Sequence, residues 1–76
     1  MTEKQRDNFR ANLRVLMASD NTSQRALAMK FGVSATLICR VLSGERTPTL
    51  DLVMAVANRY KCKADDILNR KILKEK

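Results

Sequence analysis

The sequence predicts an all-α fold of five helices around one aliphatic core, and three observations carry that prediction. Apolar residues recur at helical spacing in five separate segments. Four of those segments begin just after a Thr or Ser, the side chains best suited to accept from the free N–H groups of a first turn. No stretch alternates apolar and polar residues as a half-buried strand does.

Thr2 followed by Gln5 forms a capping-box pattern, and Phe9, Leu13, Leu16 and Met17 then mark one stripe of a first helix ending near Ser19. Asp20-Asn21-Thr22 is turn chemistry, and Ser23 caps a short second helix, Gln24 to Phe31, with Leu27 and Phe31 on one face. Gly32 breaks the pattern where a left-handed residue is needed, and Ser34 opens a third helix from Ala35 to Leu42 that stops at Ser43-Gly44. After the polar segment Glu45-Arg46-Thr47-Pro48, Thr49 caps a fourth helix, Leu50 to Tyr60. Its apolar residues lie on most faces, so a central position is expected. A fifth helix starts at Ala64, with Asp65 and Asp66 in its first turn, and carries Ile67, Leu68, Ile72 and Leu73.

Seventy-six residues allow one domain, expected over 1–76 with its core between about residues 5 and 73. Hydrophobic residues make up 45% but aromatics only 4%, so aliphatic side chains and Met must fill the core. No apolar run approaches the roughly 20 residues of a membrane span, and the charged start lacks a secretory signal. A cytoplasmic, nucleoid-associated protein without a membrane partner is expected. The formal charge of +7 surrounds a small body with a positive field suited to a polyanion.

The same composition disfavours enzymes. There is no His to serve as general base, and the only glycines, Gly32 and Gly44, form no phosphate loop. Two cysteines, Cys39 and Cys62, make neither a zinc site nor a disulfide scaffold, so both are read as reduced thiols, and neither metal nor cofactor is expected. Cys39 reads as a small packing residue rather than a redox switch.

Helices two and three, joined by a turn containing Gly, have the proportions of a helix-turn-helix unit over 24–43. Small Ala28 lets the two helices cross closely, Gly32 makes the turn, and Leu27, Phe31, Val33, Ile38 and Val41 anchor the pair. From about Phe9 to Leu68 the chain resembles the Cro and phage-repressor-like helix-turn-helix proteins. The resemblance rests on Ser23-Gln24, Leu27-Ala28, Gly32-Val33-Ser34, Ile38, Gly44, Pro48, Ala57, Tyr60 to Cys62 and Asp65–Leu68. It implies a sequence-specific, DNA-binding transcriptional repressor, paired on a palindromic operator.

Two departures stand out. Where such proteins commonly place an Arg–Glu ion pair, this chain has Met17 and Leu42, which predicts an apolar contact in its place. Glu45 sits in a loop that is often basic, with Arg46 beside it.

The resemblance assigns base reading to Ala35, Thr36, Leu37 and Arg40. Arg40 is the preferred reader, because a guanidinium matches guanine O6 and N7 together. It assigns phosphate contacts to Gln24, beside its capping Ser23, and to Ser43, Arg46 and Thr47. Lys4, Arg6, Arg10 and Arg14 are expected on a solvated face of the first helix. Ile72 and Leu73 are expected as surplus apolar surface for a second copy or a protein partner. An antitoxin, a restriction–modification or plasmid regulator, and a protein-interaction module on the same fold remain alternatives.

Overall fold

The computed structural model describes residues 1–70. Five helices follow in order: α1 Glu3–Ser19, α2 Gln24–Phe31, α3 Ala35–Ser43, α4 Leu50–Arg59 and α5 Ala64–Asn69. The four expected caps are in place. Thr2 and Gln5 close the reciprocal capping box of α1, and Ser23, Ser34 and Thr49 each accept a backbone N–H in the first turn of their helix. The α5 N-terminus has no side-chain cap, because its N-cap is Lys63, which has no acceptor.

The first four helices end alike. A residue with positive φ follows each one: Asn21 (56°), Gly32 (68°), Gly44 (89°) and Lys61 (55°). The next N–H then reaches back five residues: Thr22 to Met17, Val33 to Ala28, Glu45 to Arg40 and Cys62 to Ala57, at 2.9–3.0 Å. This is the left-handed closure that satisfies carbonyls at a helix C-terminus. Glycine adopts it freely, Asn tolerates it, and Lys61 does so at a steric cost.

The core is one cluster drawn from all five helices, with Phe9, Leu13, Leu27, Ile38, Val53, Val56 and Ile67 fully enclosed. Met17 and Leu42 both join it, so the position of the missing ion pair is apolar on both sides. α1 packs chiefly on α5 and also on α3; α2 packs on α3, and α4 on α5.

α4 is less central than its apolar content suggested. Leu52, Val53, Val56 and Ala57 are buried, whereas Leu50 and Met54, one turn apart, are exposed. Its buried face packs against α5.

α5 also departs from expectation, ending at Asn69 with Arg70 extended rather than running on towards residue 73. Two side chains of α1 bond the carbonyls at this end. Asn12 Nδ2 donates to the carbonyls of Ile67 and Arg70 at 2.8 and 2.9 Å, and Asn8 Nδ2 donates to Leu68 O at 3.0 Å. Both asparagines are buried, and burial of their amides is compensated by these bonds.

A polar cluster ties α4 to the α1–α2 turn. Arg59 Nη2 donates to Asp20 Oδ2 at 3.2 Å and to Thr22 Oγ1 at 3.1 Å. Hydrogen bonding from Thr22 holds the Asp20 carboxyl below its ordinary pKa, aided by the Arg59 charge and opposed by desolvation. Among the described residues, no single helix is long and apolar enough to cross a membrane.

Candidate nucleic-acid interface

The chain turns through 119° between α2 and α3, within the range of a helix-turn-helix crossing. Buried Ala28 lies on the inner face of α2, and the Gly32 turn has open space where a side chain would point. Its glycine is therefore required by φ and not by crowding.

α3 divides into two faces, as its sequence pattern requires. Ile38, Val41 and Leu42 are buried, while Ala35, Thr36, Cys39, Arg40 and Ser43 are exposed and Leu37 sits at the boundary. The expected base readers Ala35, Thr36, Leu37 and Arg40 thus share one outward surface of about one and a half turns. Cys39 lies on that surface as a free, exposed thiol, and Cys62 is a half-buried thiol packed against the core.

The expected phosphate-facing residues fall into two groups flanking α3. Ser23 and Gln24 lie exposed at the start of α2, with Ser23 Oγ occupied by Ala26 N–H at 3.0 Å. Ser43, the last residue of α3, and Arg46 and Thr47 after it are exposed, and Ser43 Oγ donates to Arg40 O.

Glu45 modifies this surface. Its carboxylate lies 3.9 Å from Arg40 Nε, with both side chains more than half exposed. Such an exposed pair contributes little to stability. Ile72 and Leu73 lie outside the described residues.

The arginines of α1 bear out the expectation of a solvated face only in part: Arg14 is exposed, whereas Arg6 and Arg10 are half-buried, and all three have protein contacts. Arg6, Arg10 and Arg14 recur every fourth residue and meet, in reverse order, the last turn of α3 and the segment that follows it. Arg14 Nη2 donates to Leu42 O at 2.6 Å, Arg10 Nη1 lies against Gly44, and Arg6 Nη1 donates to Thr47 Oγ1 at 3.4 Å. A Cβ at Gly44 would displace only the tip of the Arg10 side chain, so this glycine is required chiefly by its φ of 89°. Lys4 alone of the four expected cations is simply exposed. The i, i+4, i+8 spacing was visible in the sequence, but the partner of the stripe was not.

The sequence profile of a helix-turn-helix family, the Cro and phage-repressor type, matches residues 13–67, more than two thirds of the chain. The chain belongs to that family. It is therefore a DNA-binding transcription regulator, of a family whose domain is regulatory and not enzymatic. No curated protein and no solved structure matches this family member. The matched stretch spans the helix-turn-helix and the core apart from Phe9, and excludes residues 3–12, where Arg6 and Arg10 stand.

Proposed function

We propose that this helix-turn-helix protein is a repressor that binds a palindromic operator as a homodimer, one α3 in each of two successive major-groove faces. The observation that carries this reading is the outward face of α3, where Ala35, Thr36 and Arg40 stand exposed opposite the buried Ile38, Val41 and Leu42. Direct readout needs side chains free to reach base edges from a helix whose other face is fixed, and α3 has that division.

In this reading Arg40 donates to guanine O6 and N7, while Ala35, Thr36 and Leu37 pack on neighbouring base edges, thymine methyls among them. Ser23 and Gln24 hold one phosphate at the α2 N-terminus, where free N–H groups and the helix dipole favour an anion. Ser43, Arg46 and Thr47 hold the backbone at the other side. The exposed pair Leu50 and Met54 favours an assembly with a further protein surface, a second copy or a partner.

The test is selection of bound sequences from a random duplex pool at about 150 mM salt, where nonspecific attraction is weakened. The expected result is an inverted repeat with half-site centres about 34 Å apart and a guanine facing Arg40. Arg40→Ala is expected to cost about 1–3 kcal/mol of discrimination at that guanine, with unchanged thermal stability. Full retention of the wild-type preference by that variant refutes Arg40 as a base reader. Enrichment of no sequence refutes operator recognition altogether.

A further inference from the structure

We infer that Arg6 and Arg10 of α1, together with Arg46, form a phosphate-binding cleft that extends the DNA contact beyond the segment matched by the family. This rests on the DNA-binding reading above and adds a second strip of backbone to it.

The three guanidinium groups line one cleft of about 150 Å³ between α1 and the loop after α3, floored by Gly44 and Pro48. The lining also holds Glu3 and Asp7, so the cleft carries three positive charges against two negative. Those acids do not neutralise it evenly. Asp7 binds Arg10 Nη2 at 2.6 Å, using part of a guanidinium that has five N–H donors. Among the described residues, neither Arg6 nor Arg46 has an acidic partner.

Both α1 arginines are held in place. Arg6 donates to Thr47, itself one of the proposed phosphate-facing residues, and Arg10 is braced between Asp7 and Gly44. Guanidinium groups fixed by neutral or partial contacts retain donors in a fork that fits a phosphate, and their rotamer entropy is already partly lost. The cleft is continuous with Arg46 and Thr47, so a duplex seated on that loop brings its backbone to it. A nucleic-acid phosphate fits better than an acidic protein surface, because the positive cleft adjoins the recognition face.

The test compares wild-type protein, Arg6→Gln, the double variant Arg6→Gln/Arg10→Gln and a control, Lys63→Gln. The control lies beyond α4, whose ten residues rise about 15 Å. Affinity for the selected operator is titrated against salt, on a long duplex and on one trimmed at both flanks. The double variant is expected to flatten the log–log salt slope by about 1–2, Arg6→Gln by about 1, and the control by less than either. Trimming is expected to weaken the wild type and to leave the double variant unaffected. Circular dichroism checks folding, and Arg6→Gln decides the matter if the double variant does not fold.

A wild type that binds the operator while both arginine variants keep its slope and its sensitivity to trimming overturns the cleft but leaves operator binding intact. Titrated inorganic phosphate that shifts the Arg6 and Arg10 side-chain NMR signals, without any change in DNA slope, overturns the nucleic-acid source in favour of a free oxyanion. A wild type that binds no duplex overturns both readings.

Discussion

The ends of α3 and α5 are closed in different ways, and the difference shows how this small protein divides local from tertiary structure. α3 finishes within its own chain: Gly44 takes the left-handed conformation and Glu45 N–H returns to Arg40 O. Arg14 adds one more donor, to Leu42 O. At the end of α5 the following residue, Arg70, is extended. The carbonyls at its end accept instead from Asn8 and Asn12, a turn apart on α1. α1 thus faces α5 with two buried amides and the α3–α4 segment with three arginines. One side fixes a helix whose local signals are weak, and the other meets a helix that is already closed.

Breaking the α5 side is expected to have the largest effect. Asn12→Ala leaves the Ile67 and Arg70 carbonyls without their amide donor in a buried site, a loss of about 2–3 kcal/mol in urea unfolding. The DNA affinity of the fraction that remains folded is expected to stay unchanged. A loss below about 0.5 kcal/mol would mean that α5 does not depend on α1 for its closure.

The chain-closed ends predict smaller changes of opposite sign. Gly44→Ala is expected to cost about 1–2 kcal/mol, because it places a Cβ in the left-handed region and displaces Arg10. Lys61→Gly is expected to gain about 0.5–1 kcal/mol, since Lys61 already holds φ at 55° in the conformation that suits Gly. Equal signs for the two variants would show that backbone conformation does not govern these ends.

The smallest effect concerns the α1–α2 turn, where Asp20 meets Thr22 and Arg59. Asp20 has a lowered pKa when folded, so its ionised form favours the folded state. That contribution is complete above its ordinary value of 3.8 and disappears as pH falls through the lower folded value. Asp20→Asn is therefore expected to be less stable than the wild type near neutrality, with the gap closing below pH 3.8. Thermal unfolding across that range measures it, and a gap that persists at low pH assigns the effect to packing.

Much of this was legible along the chain because it arises from interactions three to five residues apart. Thr2, Ser23, Ser34 and Thr49 announced four helix starts, and Gly32 and Gly44 announced the two ends that frame the recognition helix. The spacing of Ile38 and Val41 set the inner face of α3 and so left Ala35, Thr36 and Arg40 outside. Asn21 and Lys61 were harder to assign as left-handed residues, since neither is a glycine.

The sequence by itself determined the helices, their caps and the division of α3 into a buried and an exposed face, because helical period and capping chemistry are local. Only the tertiary structure decided where α5 stops, which side of α4 stays exposed and what the α1 arginines touch. Those outcomes depend on groups far apart in the chain: Asn12 meets Ile67 across 55 residues, and Arg6 meets Thr47 across 41. A donor's partner at that range is set by how the helices pack, and no spacing within a single segment encodes it.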